Sequence, residues 1–266
     1  MTVSIVVASG KGGVGKTSVS VNLGLCFARQ GRRTVLFDAD FGMANAHILI
    51  GANPKRFIVD VLDGSAAMAD ILCDAPNGMK FISGGSGLLE MLNLDKSTRY
   101  QTIRMVDELR DSADVLIVDA PAGASDNSIA FVAAADHVVV VLVGEPTSFL
   151  DAYSLIKAAN VETNVQNFSV VVNMARNATE ARAHFDKFNT IVARFLDVNL
   201  NFAGHLPLSE RMRRAIVKRR PIGVESQQLP ENQAFMAMSK TVLESPQNTH
   251  SGIRFFSEQE AAIAGS

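Results

Sequence analysis

This sequence of 266 residues lacks several features that would each indicate a particular class of protein. Its two cysteines, Cys26 and Cys73, stand far apart and in no metal-binding spacing, so neither a disulfide framework nor a zinc site is predicted. No apolar run reaches the ~18 residues that a membrane-spanning helix needs. Because the N-terminus also lacks the basic segment and apolar core of a secretory signal, we expect a cytoplasmic protein.

The sequence also has only a small excess of charge of one sign, since its formal net charge is −2. Such a chain has no overall attraction for nucleic acid or anionic lipid, so binding of that kind would need a local patch. Hydrophobic residues make up 47% and charged residues 20% of the chain, which is ordinary for a globular protein. A chain of this length can bury most of its unfolded surface in one large domain.

Apolar runs alternate with helical patterns along most of the chain. The runs predict strands at Val3–Ala8, Thr34–Phe37, Val115–Val118, His137–Val143 and Ser169–Val172. The helical patterns lie at Ser18–Gln30, Thr98–Arg110, Asn127–Ala135, Phe149–Ala159 and Thr179–Phe195. Strands without strict alternation are typical of a parallel sheet covered on both faces. We therefore predict an α/β fold with a doubly wound, mostly parallel sheet and helices on both faces.

The domain organisation predicted from this pattern is simple. Residues 1–245 form one domain, and the polar segment 246–266 is a tail with a weaker claim to the core that holds at most a short helix. Small and polar residues dominate this last stretch, which is why we expect it to bury little surface.

A glycine-rich loop follows directly on the first apolar run. It has the spacing G-x-x-x-x-G-K-[ST] of a phosphate-binding loop, with a strand before it and a helical pattern after it. Backbone N–H groups of such a loop face phosphate oxygens, Lys16 reaches the β and γ phosphates, and the Thr17 hydroxyl can bind Mg²⁺. A turn that ends by chance in Lys-Thr is the alternative, and the flanking elements favour nucleotide binding. The loop is Gly10-Lys11-Gly12-Gly13-Val14-Gly15-Lys16-Thr17.

Acidic residues at the ends of two later strands are predicted to complete this site. Asp38 and Asp40 are one residue apart at the end of the second strand, so their side chains project from the same side. Phosphoryl transfer requires Mg²⁺ to be held and a water to be aligned with the γ-phosphate, and we assign Asp38 to the metal and Asp40 to the water. Asp119 ends an apolar run, as does the aspartate that orders the Mg²⁺ shell in such sites. Carboxylates that merely end a strand are the alternative.

Three further segments add candidate functions. The turn Ala120-Pro121-Ala122-Gly123 after the third strand is a candidate switch between ATP and ADP states. Asn173 ends another strand, where its amide could pair with the donor and acceptor edge of adenine. Pro207 lies in a turn that could cover the base. Taken alone, Asn173 could equally be an ordinary turn residue.

A second lysine inside the loop connects the chain to a known family. Lys11 makes the loop K-G-G-x-G-K-[ST], which resembles the deviant phosphate loop of the MinD/ParA ATPases. In that family this lysine crosses a dimer interface to the partner's nucleotide, so the resemblance implies a homodimer formed with ATP. A solvated loop lysine is the alternative. The resemblance also implies nucleotide contacts from Gly10, Lys11, Gly12, Gly13, Val14, Gly15, Lys16, Thr17 and Ser18, with ATP and Mg²⁺ as cofactors.

Within that family the chain is most similar to the flagellar-number regulators of the FleN/FlhG group. Members of this group repress flagellar genes by binding a σ54-dependent AAA+ activator (FleQ-like). The resemblance implies a slow ATPase that acts as a switch, with catalytic roles for Lys11, Lys16 and Asp40. It also implies roles in dimerisation for Lys11, Asn45 and Asp151. The similarity is carried by Asp38–Asn45, Asp60–Gly64 with Ile82–Gly87, Glu145–Tyr153 and Val172–Ala175.

The sequence departs from this group in two places. It begins close to its first strand, without the segment through which FlhG members engage the flagellar GTPase FlhF, which argues against FlhF as a partner. MinD-type proteins end in a basic amphipathic helix that binds membranes. Here the tail offers Arg254 against Glu258 and Glu260, whereas an interfacial helix requires cations on its polar face. Weak peripheral or polar membrane association stays open, and stable binding is not favoured.

One cluster of cations stands out in an otherwise balanced sequence. Arg211, Arg214 and Lys218 would share one face of a helix. A protein partner or a solvated face is favoured over DNA, because the chain is acidic overall. MinD-type membrane or ParA-type DNA positioning ATPases are the rival functions. Iron–sulfur carriers of the same fold are excluded, because Cys26 and Cys73 do not match their paired arrangement. The cluster comprises Arg211, Arg213, Arg214, Lys218, Arg219 and Arg220.

Overall fold

The computed structural model describes residues 2–41, 44–85, 95–249 and 252–256. These residues form one sheet of eight strands in the order β3-β4-β2-β5-β1-β6-β7-β8. All neighbouring strands are parallel except β3 and β4. The strands are β1 (Val3–Ala8), β2 (Thr34–Asp38), β3 (Cys73–Asp74), β4 (Lys80–Ser83), β5 (Val115–Asp119), β6 (His137–Leu142), β7 (Asn167–Ala175) and β8 (Asn199–Pro207).

Helices cover both faces of this sheet. Along β1 the side chains alternate between two separate apolar clusters: Ile5 and Val7 belong to one, and Val6 and Ala8 to the other. Since both clusters are buried, the predicted doubly wound α/β fold is confirmed. The described helices are α1 (Lys16–Arg29), α2 (Ala46–Ile50), α3 (Ile58–Leu62), α4 (Lys96–Met105), α5 (Asp126–Ala134), α6 (Pro146–Thr163), α7 (Ala178–Val192), α8 (Glu210–Val217) and α9 (Pro230–Glu244).

All five predicted strands are present, but three were not predicted. β3 and β4 are very short, and β8 lies at the sheet edge, where its partly exposed residues lack a continuous apolar run. The helix predicted at Thr98–Arg110 ends as an α-helix at Met105 and continues as a 3₁₀ turn to Leu109. α9 was also missed.

The segment after Pro246 contributes more to the core than its composition suggests. Phe255 is 2% exposed, and its ring stacks on that of Phe131 in α5, with centroids 6.3 Å apart. Asn248 N–H donates to the Asp136 carbonyl across 2.9 Å. The expectation that this segment buries little surface is therefore wrong at Asn248, Phe255 and Phe256, which are buried, whereas Pro246, Gln247 and Thr249 are exposed. The short helix allowed for its end falls partly at 257–266, outside the described residues.

The predicted site residues converge at the carboxyl edge of the sheet. The glycine-rich loop follows β1, and β5 lies beside β1 with Asp119 opposite Val7. On its other side β5 pairs with β2, which places Asp119 opposite Asp38. The strands β2 to β5 lie on one side of β1, and β6 to β8 lie on the other. A doubly wound fold binds its ligand at the carboxyl ends of the strands where the strand order changes side in this way. Among the described residues, no helix combines the length and apolar character needed to cross a membrane.

Candidate functional site

Three glycines of the loop are required by its geometry. Gly13 and Gly15 have φ angles of 81° and 89°, a conformation that other residues adopt only with strain. Gly10 faces a different constraint, since a Cβ there would lie 2.0 Å from the carbonyl carbon of Asp151 in α6. The loop backbone is therefore held against α6 at its start and turned by glycine at its end. This is the arrangement that lets N–H groups face an anion.

Asn173 near the end of β7 holds the C-terminal part of this loop through a hydrogen bond to Val14. Its Nδ2 donates to the Val14 carbonyl across 2.7 Å, and its Oδ1 accepts from the Met174 N–H at 2.9 Å. A Cβ on Gly15 would lie 2.3 Å from the same Nδ2. The side chain predicted to read adenine thus holds the phosphate loop in this structure, and the contact with the base stays a prediction. Pro207, the other predicted base contact, ends β8 opposite Ala175 of β7.

Lys16 and Asp119 form a buried ion pair at the centre of the site. Lys16 Nζ lies 2.8 Å from Asp119 Oδ1, and the Ser20 hydroxyl donates to the same oxygen at 2.7 Å. The other oxygen, Oδ2, is buried without a hydrogen-bond partner in the described chain, as is the Ser18 hydroxyl oxygen. Buried polar atoms of this kind normally have partners. Their presence beside a phosphate loop fits a bound nucleotide and its Mg²⁺.

Asp38 is buried at the end of β2 and anchors the turn that follows. Its Oδ1 accepts from the Asp40 N–H at 3.2 Å, and its Oδ2 accepts from the Ala46 N–H at 3.0 Å. Burial, and after it the charge of Asp119, raises the pKa of Asp38 to about 7. A divalent cation between two such carboxylates would relieve their repulsion. The metal ligation predicted for Asp38, Asp119 and Thr17 is consistent with this electrostatic situation and stays a prediction.

The remaining candidates of this turn are less buried. Asp40 is half-buried, and Thr17 is half-buried in the first turn of α1. Asn45 is exposed and precedes α2 without capping it through its side chain. Gly42 and Met43, which belong to the stretch that carries the family resemblance, lie outside the described residues.

Lys11 lies on the surface, away from Lys16. Its Nζ donates to Glu145 Oε2 at 2.9 Å and to Thr147 Oγ1 at 3.0 Å. The resemblance implies that Asp151 pairs with this lysine, whereas within the single chain Lys11 contacts residues at the N-terminal end of α6. A pair between Lys11 and Asp151 of two subunits stays a prediction.

The turn after β5 is tied to the phosphate loop. Gly123 has a φ of 88°, and its N–H donates to the Ser9 carbonyl across 2.8 Å. The Ser9 hydroxyl in turn donates to the Lys11 carbonyl at 3.0 Å. These hydrogen bonds connect the turn Ala120–Gly123 to the loop, and its role as a nucleotide-sensing switch stays a prediction.

Sequence reasoning missed four residues of this site. Ser20 lies one helical turn after Lys16, so its hydroxyl shares the face that Lys16 occupies. Glu145 and Thr147 belong to a stretch that the family resemblance includes, but nothing in their spacing assigned them to Lys11. Ser9 had no signal at all, since its role depends on the approach of Gly123 from another strand.

Comparison with known proteins identifies relatives of this chain. A ParA family model, described as "NUBPL iron-transfer P-loop NTPase", matches residues 1–243. The antiactivator FleN of Pseudomonas aeruginosa is 39% identical over 257 residues, which cover 96% of this chain and 92% of FleN. The flagellum site-determining protein YlxH of Helicobacter pylori is 31% identical over 219 residues, covering 81% and 73% respectively. The MinD of Pyrococcus horikoshii, solved with Mg-ADP, shares the fold with a TM-score of 0.75 at 20% identity, covering 92% of this chain and 97% of MinD.

The description of the family model mentions iron transfer, but the two cysteines of this chain lie in different elements of the fold. Cys26 is buried and contacts Ser239 of α9, while Cys73 lies in the edge strand β3. In the part of the chain that the structure describes, no group of three or more histidine, cysteine or acidic side chains could hold a metal ion. The phosphate loop with its two lysines, Lys11 and Lys16, indicates the same family as the similarity in sequence and fold. The chain belongs to the MinD/ParA family of P-loop ATPases.

Proposed function

We propose that this protein is an ATP-dependent dimerising switch that limits flagellar number by inhibiting a σ54-dependent AAA+ activator. The observation that carries the proposal is the separation of the two loop lysines. Lys16 is buried against Asp119, where it can serve only the nucleotide of its own subunit. Lys11 is 29% exposed at the N-terminal end of α6, where it can reach a second subunit.

The ATPase chemistry follows from the buried half of the site. Bound Mg²⁺ would supply positive charge to the phosphate oxygens, held by Thr17, Asp38 and Asp119. Lys16 would exchange its contact with Asp119 for one with the β and γ phosphates. Asp40 lies two residues beyond Asp38, past the end of β2, and would orient the attacking water. The MinD of Pyrococcus horikoshii was solved with Mg-ADP, which supports these cofactors.

Dimerisation follows from the exposed half. In the dimer Lys11 would leave Glu145 and contact the nucleotide of the other subunit, with Asp151 and Asn45 beside the interface. The γ-phosphate would add negative charge between two lysines that repel each other, so the arrangement is more stable with ATP than with ADP. ATP would therefore favour the dimer, and ADP the monomer.

The target is inferred from relatives. FleN is named an antiactivator and YlxH a flagellum site-determining protein, and the first covers nearly the whole of this chain. We assign the chain the same kind of partner, a FleQ-like activator in the cytoplasm, contacted by the ATP-bound dimer. DNA and lipid are rival ligands that the net charge of −2 disfavours.

One titration tests this proposal. The protein, with ATP in the presence of Mg²⁺ or with ADP, is titrated with the AAA+ domain of the activator, with duplex DNA, and with anionic vesicles. We expect tight binding to the activator domain in the presence of ATP and Mg²⁺ but not of ADP. The activator's ATPase rate should fall when the complex forms. Tight ATP-dependent binding to DNA or vesicles, with none to the activator, would replace the proposal with the corresponding rival.

A further inference from the structure

The short helix α8 presents a surface that the ATPase site does not use. None of its residues is buried, although Met212 and Ala215 pack against the core from its inner side. On its outer side Val217 is 77% and Ile216 47% exposed, and Leu208 just before the helix is 70% exposed. We call this the α8 surface, and it comprises Leu208, Arg213, Arg214, Ile216, Val217 and Lys218.

This surface carries a net positive charge. Arg211 is bound by Glu231 at 3.2 Å, Arg220 by Glu225 at 3.1 Å, and Arg213 lies 3.8 Å from Glu210. Within the described parts of the chain, Arg214 and Lys218 form no ion pair and are exposed. Two uncompensated cations thus flank exposed aliphatic side chains on a protein whose overall charge is −2.

The N-terminal end of α8 is held against α9 by hydrogen bonds. Glu231 is buried at the start of α9 and accepts hydrogen bonds from the Ser209 hydroxyl and from Arg211 Nε. Ser209 also caps the helix, because its oxygen accepts from the Arg211 and Met212 N–H groups at 3.2 and 3.3 Å. Since the helix is already ordered, little conformational entropy would be lost when a partner binds to it.

The segment before the α8 surface contains a residue predicted to contact the nucleotide, and the segment after it lies against α2. The surface begins directly after Pro207, the predicted base contact at the end of β8. At its other end, a Cβ on Gly51 would lie 3.4 Å from the Arg219 carbonyl oxygen, so α2 touches the chain that follows α8. The turn before α2 is anchored by Asp38.

We propose that the α8 surface is the docking site for an acidic protein surface with an apolar centre. The proposal rests on the proposed function and names the face that contacts the regulatory target. Aliphatic side chains among cations match the apolar centre and charged rim of a protein interface. They match a DNA backbone poorly, because phosphates require cations and polar donors rather than exposed valine and isoleucine. A two-turn helix whose inner side is already packed also offers little apolar area to a membrane.

Two variants test the two components of the surface. Arg214→Glu combined with Lys218→Glu reverses the charge, and Val217→Ser removes the most exposed of the three aliphatic side chains. One control, Lys157→Glu combined with Lys187→Glu, makes the same change of net charge at exposed positions elsewhere. The other is Val161→Ser, which removes an exposed valine from α6. Each variant is assayed for ATP binding, for dimerisation with ATP, and for affinity to the activator's AAA+ domain, to random-sequence duplex DNA, and to vesicles of equal parts phosphatidylglycerol and phosphatidylcholine.

We expect the charge-reversal variant to raise the Kd for the activator domain by about tenfold or more and Val217→Ser to raise it by a smaller factor, with ATP binding and the dimer unchanged. The controls should bind like the wild type. If the wild type binds the activator domain and both α8 variants bind it equally well, the docking site is overturned while the proposed function stands. If the charge reversal weakens binding to DNA or vesicles instead, an acidic protein is the wrong occupant. If the wild type does not bind the activator domain at all, the proposed function itself fails.

Discussion

Lys16 Nζ donates a hydrogen bond to Asp119 Oδ1 across 2.8 Å, and both side chains are buried. The lysine predicted to bind phosphate and the aspartate predicted to order Mg²⁺ therefore neutralise each other in the interior of the protein. When a nucleotide and Mg²⁺ bind, Lys16 has to contact phosphate oxygens and Asp119 has to contact Mg²⁺, in place of their contact with each other. The ion pair thus stabilises the site before a ligand binds, and a ligand that replaces it has to offer both a cation to Asp119 and an anion to Lys16.

The first prediction concerns this pair. Lys16→Met should abolish ATP binding and lower the free energy of unfolding by about 3–5 kcal/mol, because it leaves a buried carboxylate without its partner. Adding Asp119→Asn should recover most of that stability without restoring ATP binding. Urea denaturation and calorimetric titration measure the two effects. An unchanged unfolding free energy in Lys16→Met would show that the pair does not hold the site together.

The second prediction concerns the pH dependence of Asp38. Its pKa is raised from 3.8 to about 7 by burial and then by the charge of Asp119. Between these two values the folded state binds more protons than the unfolded state, so the contribution of Asp38 to stability falls as pH rises and is level above about pH 7. With chelator present and no nucleotide, Asp38→Asn should therefore gain stability relative to the wild type from pH 4 to pH 7. A difference in unfolding free energy between Asp38→Asn and the wild type that stays constant from pH 4 to pH 7 would contradict the raised pKa.

The third prediction separates hydrolysis from binding. Asp40→Ala should bind ATP and dimerise but lose turnover, because nothing would orient the attacking water. The variant would be held in its ATP-bound form, and in cells it should repress flagellation more strongly than the wild type. Phosphate release and flagellar counts provide the measurements. Hydrolysis at the wild-type rate would assign the water to another residue.

The fourth prediction concerns the two roles open to Asn173. Its amide holds the Val14 carbonyl at 2.7 Å, so Asn173→Ala should loosen the phosphate loop. We expect affinity for ATP and for tripolyphosphate to fall by similar factors, since the loop serves both ligands. If affinity for ATP falls alone, and discrimination against GTP falls with it, Asn173 acts on the base instead.

The sequence predicted the centre of the site better than its edges, for a physical reason. The glycine loop, Asp38 and Asp119 each follow an apolar strand, and parallel strands bring such ends together. The partners of Lys11 depend on how α6 sits against Gly10, which no local pattern encodes. The same holds for Asn173, whose contact with Val14 joins residues far apart in the chain.

The edges of the fold show the same limit. β8 was missed because an edge strand is only partly buried and its residues alternate poorly. The docking of Phe255 on Phe131 was missed because two phenylalanines in a polar stretch carry no periodicity. Residues whose environment is set by distant segments could not be placed from local spacing alone.

The central claim, a dimer gated by ATP through Lys11, is tested most directly by sedimentation with hydrolysis blocked. The wild type should be a dimer with ATP and Mg²⁺ and a monomer with ADP, whereas Lys11→Ala should bind ATP and remain a monomer. Lys80→Ala, which removes a lysine paired with Asp74 at the sheet edge, is the control and should dimerise like the wild type. Equal dimer fractions with ATP and ADP, or a full dimer in Lys11→Ala, would contradict the account.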